Sequence, residues 1–244
     1  MRAKVHRTTA LHCPVPPIGA APYLSTCFVF HIVEQFILWE ECPVLYYQDE
    51  AITIYHAAME DVLPDLRYDV VVSDPPYGIR YVGYNHGTVR GDHNHDAVSA
   101  MLNIVGDTPT VLTGANHFAQ RLPSVGAWSY WDKRCGEKAD RMFGAPGEFI
   151  WTSGKDRSGK MYRIMHGGVV NADGYGIKRI HPTQKPVVLM ERIIEDWAKD
   201  GVIVDPFMGV GTTLVAAKRL GRTAVGIEVE LDYCAAAVER LGAL

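Results

Sequence analysis

The sequence predicts a doubly wound α/β fold on a mostly parallel sheet, and three observations carry that expectation. Short runs such as Val70–Val72 and Val202–Val204 are uniformly apolar and β-branched, the character of strands buried on both faces. Stretches of helical period lie between these runs, so strands and helices alternate. One strand, ending at Asp205, leads directly into a turn holding Gly209 and Gly211 and then into a helix, the unit from which such sheets are built.

Taken in order, residues 1–43 form an N-terminal extension. Pro14, Pro16, Pro17 and Pro22 come first; Val29, Ile32, Val33, Phe36 and Ile37 then fall at helical spacing and predict an amphipathic helix. Its polar face lacks Lys and Arg, which favours docking over a membrane surface. Residues 44–244 are expected to form one domain. Strands are expected at 52–56 and 68–73, with a short helix at 59–66 between them. A polar loop then leads to a helix at 97–105 and strands at 110–113, 127–131 and 148–152. Residues 153–176 are Gly-rich and show no clear period, and 153–180 read as a short basic insert. The chain closes with a helix at 186–199 that has Pro186 at its start, a strand at 201–205, a helix at 212–220 ended by Gly221, a strand at 223–228 and a last helix at 231–241.

Composition narrows the class. The chain has 244 residues, 48% hydrophobic and 21% charged, which suits an ordinary globular protein with a sizeable core. The apolar-looking run from Cys27 to Trp39 is interrupted by His31, Glu34 and Gln35 and is too short to span a bilayer. The basic start, MRAKVHR, is followed by prolines instead of an apolar core, so no secretory signal is read. Five scattered cysteines without a CxxC pair suggest a reducing, cytoplasmic setting and no metal site. The net charge of −4 argues against a wholly basic nucleic-acid binder, but the charge is uneven. Residues 152–185 hold seven basic side chains against two acidic ones, so this segment carries +5 and the remainder −9. Lys155, Arg157, Lys160, Arg163, Lys178 and Arg179 therefore read either as a solvated loop or as a phosphate-facing flap.

Two strand ends carry the candidate chemistry. Beyond the glycine turn, seventeen residues after Gly211, the next strand ends in Glu228. Glycines allow a ligand to approach the backbone, and an acid at the following strand tip can grip ribose hydroxyls. There is no GK[ST] signature and no arginine-rich phosphate cradle, which favours an adenosyl ligand over a nucleoside triphosphate or a dinucleotide. The second strand end reads Asp74-Pro75-Pro76-Tyr77. Two prolines fix the backbone and remove amide donors, leaving the Pro75 carbonyl and the Asp74 carboxylate as acceptors for both hydrogens of an –NH2 group. Tyr77 offers a face for a planar ring, with stacking worth about 1–3 kcal/mol. The same residues also make a good turn, and the alternative of a simple turn stays open at this level.

SDPPYG (73–78), HPTQKP (181–186) and VDPFMGVGTT (204–213) together resemble the motifs of the amino DNA methyltransferases, in the order of that family's permuted beta group. The resemblance covers roughly residue 45 to the C-terminus. It implies a Rossmann-like, S-adenosylmethionine-dependent methyltransferase fold: a circularly permuted, mostly parallel seven-stranded sheet with one antiparallel strand. It also implies methyl transfer to the exocyclic amine of adenine (N6) in duplex DNA, since DPPY usually accompanies adenine and SPPY cytosine-N4. On this resemblance Asp74, Pro75, Pro76 and Tyr77 are catalytic. Asp205, Phe207, Gly209, Gly211 and Thr212 line S-adenosylmethionine, Glu228 takes its ribose, and Thr183 and Lys185 sit near its carboxylate. A homodimer is compatible with the family. Ala57 and Ala58 stand where members often carry Gly-Asp, so Glu60 or Asp61 would have to replace that contact. Methylation of another planar nitrogen, or a silent cofactor- or DNA-binding module, remain as alternatives.

Weaker candidates complete the reading. His93 and His95 read as part of a polar loop, and Asn116 and His117 as caps of a helix after a strand. Trp128, Trp131 and Trp151 read as packing residues, and Asp132 and Lys133 as possible walls of a cleft.

Overall fold

In the computed structural model the described residues are 30–33, 36–39, 43–80, 82–83, 87–88, 92–136, 144–155, 158–166 and 184–244. Two compact units divide the chain, Met1–Cys42 and Pro43–Leu244. In the first unit, β1 (Phe30–Val33) and β2 (Phe36–Trp39) pair as an antiparallel ribbon, Phe30 opposite Trp39. This corrects the expected amphipathic helix. A ten-residue stretch so rich in aromatic and β-branched residues suits a strand as well as a helix, and periodicity alone does not separate the two over so short a run.

The second unit is built on one nine-stranded sheet. Its strands are β3 (Val44–Gln48), β4 (Ile52–His56), β5 (Val70–Ser73), β8 (Thr110–Thr113), β9 (Ala127–Asp132), β10 (Gly147–Thr152), β11 (Met161–Arg163), β12 (Ile203–Asp205) and β13 (Ala224–Glu228). The two remaining strands, β6 (Val82–Gly83) and β7 (Gly87–Thr88), pair only with each other. The spatial order of the sheet is β11-β9-β10-β8-β5-β12-β13-β4-β3. Strands β8, β5, β12, β13 and β4 run parallel to one another, whereas β10 is antiparallel to both β8 and β9. The seven strands from β9 to β4 thus form the expected seven-stranded core with one antiparallel member. The count is nine because edge strands β11 and β3 extend it, parallel to β9 and antiparallel to β4 respectively. Neither edge is legible in the pattern: β3 carries a register shift between Leu45 and Tyr47, and β11 is only three residues long.

The permutation is visible in the register. Strand β4, early in the sequence, lies beside β13 near the C-terminus, with Glu228 opposite His56. Helices α1 (Met59–Val62), α2 (Asp96–Val105), α3 (Val187–Trp197), α4 (Thr212–Arg219) and α5 (Leu231–Gly242) complete the unit. On α3 the buried Leu189, Met190, Ile193 and Ile194 form one stripe that joins Ile52, Val72 and Val111 of the sheet in the main apolar cluster. Each such side chain contributes roughly 1.5–3 kcal/mol by leaving water. Helix α4 is buried from Thr212 to Ala217, and Lys218 and Arg219 in its last turn suit the helix dipole. No helix among the described residues is long and apolar enough to cross a membrane.

Candidate active site

Parallel strands present their C-terminal ends to one crevice, and three of these ends meet here: Ser73-Asp74, Asp205 and Glu228. A single cavity is lined by Asp74, Pro75, Pro76 and Tyr77 on one side and by Asp205, Phe207, Gly209, Thr212 and Glu228 on the other. Lys185 also lines it. The two strand ends singled out in the sequence are thus brought to one site.

On the glycine side the geometry suits an adenosyl ligand. Gly209 has a left-handed φ of 52° with nothing near the space a Cβ would fill, so the cavity reaches the bare backbone. Its N–H donates to Glu228 Oε2 at 2.9 Å, while Oε1 accepts from the N–H groups of Val229 and Glu230. A carboxylate offers about four acceptor sites. Three are used, and one remains on Oε2 that could accept from a hydroxyl in the cavity. Burial pushes the Glu228 carboxyl above its ordinary value despite those three donors. Gly211 does not wall the cavity. It sits at the N-cap of α4 with φ 73°, where a Cβ would lie 2.8 Å from Ala237 on α5, so its place is set by helix packing.

Asp205 acts as a bracket. Oδ1 accepts from Ser73 Oγ at 2.6 Å and from the Phe207 N–H at 3.1 Å, and Oδ2 from Thr213 Oγ1 at 2.5 Å. It joins β5, β12 and α4. Burial pushes its carboxyl up to about 6, against the lowering effect of those donors.

On the proline side, Asp74 Oδ1 accepts from Thr113 Oγ1 at 2.6 Å and from the Tyr77 hydroxyl at 2.7 Å, and Lys185 Nζ donates to Oδ2 at 2.7 Å. Lys185 is 5% exposed and also donates to the Tyr77 hydroxyl at 2.7 Å, with Glu148 Oε2 at 3.5 Å. Its three N–H groups are thereby engaged, and its ammonium points at Asp74 and Tyr77, not toward a carboxylate at the glycine side. Burial would push Lys185 down, but the Asp74 and Glu148 charges outweigh it and hold the ammonium above its ordinary value. Burial would likewise push Glu148 up. Lys185 and Lys133 outweigh it and hold the carboxyl at about 2.

Tyr77 is buried, and its ring stacks on His117 with centroids 4.7 Å apart and planes 13° apart. A phenol has one proton; the 2.7 Å contact to Asp74 takes it, so the 3.4 Å approach to Glu148 is secondary. Burial and the neighbouring carboxylates push the Tyr77 hydroxyl well up, which keeps it neutral. Gly114 is required behind the ring: its φ is 64°, and a Cβ there would overlap the ring. Asp92 Oδ1 accepts from the Gly78 N–H at 2.6 Å and fixes the turn that follows.

Sequence reasoning does not find Glu148, Thr113 or Asp92, and it gives His117 a different place. Asn116 caps no helix: its Oδ1 accepts from the Phe149 N–H, and His117 lies on Tyr77. The only available signal is that Asp132-Lys133 and Gly147-Glu148 sit at adjoining strand ends, which becomes apparent only once β9 and β10 are paired. Lys133, a weak candidate from the sequence, is ion-paired with Glu148. Trp131 and Trp151 are core residues, and Trp128, 43% exposed, packs its ring edge-on against Phe149. Glu60 and Asp61 are exposed on α1, outside the cavity wall. Lys160 and Arg163 are exposed at the β11 edge, with Lys160 Nζ 3.6 Å from Asp196, whereas Lys155, also exposed, lines a second cavity with Asp69, Val70 and Thr110 at the ends of β5 and β8 away from Asp74. Arg157, Lys178, Arg179 and Thr183 lie outside the described residues.

Residues 150–239 match the family model described as DNA methylase. Over 64 residues the chain is 56% identical to the Type II methyltransferase M2.DpnII of Streptococcus pneumoniae, covering 26% of this chain and 24% of that protein. Over 64 residues it is 50% identical to the Type II methyltransferase M.ScaI of Streptomyces caespitosus, covering 26% and 21%. The match thus spans about a quarter or less of the length of these curated relatives. Among solved structures, the M1.HpyAVI–SAM complex aligns with a TM-score of 0.53 at 24% identity, over 78% of this chain and 98% of that one. The PvuII DNA methyltransferase (cytosine-N4-specific) aligns with a TM-score of 0.59 at 16% identity, over 80% and 88%. The fold is that of a Rossmann-like methyltransferase. The resemblance to the amino DNA methyltransferases is supported by the family match, which contains two of the three motifs, those at 181–186 and 204–213.

Proposed function

We propose that this chain transfers a methyl group from S-adenosylmethionine to the exocyclic amine of adenine in duplex DNA, in a cytoplasmic setting. The single observation that carries the reading is that Asp74, Pro75 and Tyr77 share one cavity with Gly209 and Glu228. Gly209 and Glu228 would hold the adenosyl part of the cofactor, which supplies an electrophilic methyl on a positively charged sulfur.

Three of the roughly four acceptor sites of Asp74 are filled. The fourth, on Oδ2, would take one N–H of the target amine and the Pro75 carbonyl the other. Held this way, the amine nitrogen would face the methyl that the bound cofactor would supply, with the sulfur keeping the electron pair of the broken carbon–sulfur bond and the amine's proton passing to solvent. Holding the amine in line is the main contribution of these residues, because such positioning removes much of the entropic barrier. Extruding the base costs a few kcal/mol, which contacts in the cavity must offset. The exposed Lys160 and Arg163 at the β11 edge are proposed to meet the DNA backbone.

The aspartate of the DPPY motif favours adenine through the resemblance, while the same pair of acceptors also fits the cytosine-N4 amine. The test is tritium transfer from labelled cofactor to DNA, followed by digestion to nucleosides. N6-methyladenine in the wild type, with its loss in Asp74→Ala at retained cofactor affinity, is expected. N4-methylcytosine would reassign the base, and no transfer to any DNA would leave a binding module.

A further inference from the structure

Outside the residues that would touch cofactor or base, the site contains a largely shielded charge chain that methyl transfer by itself does not require. Lys133 on the loop after β9 is ion-paired with Glu148 at the start of β10. Glu148 Oε2 lies 3.5 Å from Lys185 Nζ, and Lys185 is 2.7 Å from both Asp74 Oδ2 and the Tyr77 hydroxyl. Glu148 and Lys133 are 13% and 17% exposed, and neither lines the cavity.

We infer that Glu148 is a positioning residue for the amino-group site: it holds the Lys185 ammonium so that Lys185 fixes the direction of both Asp74 and Tyr77. This inference rests on the methyltransferase reading above. An ammonium is a flexible point charge with rotatable donors. With Asp74 alone as its counter-charge it could swing around the carboxylate and occupy the Oδ2 site reserved for the incoming amine. A second carboxylate on the far side fixes it in one place, and Lys133 in turn balances Glu148. The charges facing Lys185 are Asp74 and Glu148, with the neutral Tyr77 hydroxyl between them; Lys133 stands behind Glu148 and His117 on the far face of Tyr77.

The experiment compares wild type, Glu148→Gln and Glu148→Asp in steady-state methyl transfer between about pH 6 and about pH 10. Expected for Glu148→Gln is a fall in kcat of about tenfold or more, with KM for the cofactor within about threefold. The wild type, whose Lys185 ammonium is held above its ordinary value, shows no basic limb up to about pH 10, whereas the kcat profile of Glu148→Gln begins to fall at the basic end of the range, because Lys185 loses one of its two counter-charges. Glu148→Asp keeps the charge. Its profile stays level at the basic end while kcat falls by an intermediate factor, since the shorter side chain draws the carboxylate back. Thermal unfolding and cofactor titration confirm that each variant is folded. If Glu148→Gln does not fold, Glu148→Asp decides: wild-type kcat in that variant overturns the inference. Wild-type kcat and a profile level to about pH 10 in a folded Glu148→Gln also overturn it while leaving the methyltransferase reading intact. A wild-type protein that methylates no DNA overturns both.

Discussion

Ser73 Oγ donates a 2.6 Å hydrogen bond to Asp205 Oδ1, joining residues 132 positions apart in the chain. Ser73 immediately precedes the DPPY corner and Asp205 immediately precedes the glycine turn. The bond therefore sets the spacing between the proposed amine-holding and cofactor-holding halves of the cavity. Because Asp205 is 2% exposed, the donors around it compensate a large desolvation cost.

That bracket has a pH signature. The folded value of about 6 for Asp205 lies above the ordinary carboxylate value of about 3.9. Between those values the folded state binds more protons than the unfolded state, so stability falls as pH rises from about 4 to about 6 and is level above. The total change is on the order of 2–3 kcal/mol. Asp205→Asn lacks this slope. Urea unfolding of both proteins across that range measures it, and parallel curves would remove Asp205 as the source. Ser73→Ala, which leaves the carboxylate short of a donor, is expected to cost about 1–3 kcal/mol at pH 7.

Gly114→Ala tests the support behind Tyr77. The substitution forces a side chain into a left-handed backbone and drives a methyl into the ring. Strain and overpacking together are expected to cost on the order of 2–4 kcal/mol. Activity should fall further than cofactor affinity, because the displaced ring is on the amine side. Calorimetric unfolding and cofactor titration read the two effects separately.

Glu228→Ala removes the acceptor of three backbone N–H groups and the remaining oxygen site facing the cavity. Cofactor affinity is expected to fall roughly ten- to a hundredfold. At saturating cofactor kcat should change little, since no amine-holding group is touched. Isothermal titration gives the affinity; an unaltered value would place the ribose elsewhere.

Lys160→Ala combined with Arg163→Ala tests the exposed basic edge near β11. For every phosphate that these side chains cease to neutralise, the slope of log affinity against log salt should become shallower by about 0.9. DNA binding measured from low to moderate salt gives that slope, and a slope equal to the wild type would take this edge out of the interface.

The alternation of strands and helices is legible in the chain itself, since apolar period and glycine turns are local properties. The pattern at 110–113 matches β8 at Thr110–Thr113, and the pattern at 223–228 matches β13 at Ala224–Glu228 within one residue. The two strand ends that line the cavity also stand out locally, because Asp-Pro-Pro-Tyr and the Gly209–Gly211 turn are chemically unusual where they occur. The ribbon at 30–39 escapes such a reading because a short apolar run satisfies both periods. What those strand ends touch emerges only when the chain is folded. The Lys185–Asp74–Tyr77 cluster, the Glu148–Lys133 pair behind it, the His117 stack and the Ser73–Asp205 bracket all join residues distant in the chain. Hydrogen bonds and ion pairs depend on positions fixed by strand order and register, and β9–β10 pairing leaves no mark in the local pattern of Lys133 or Glu148.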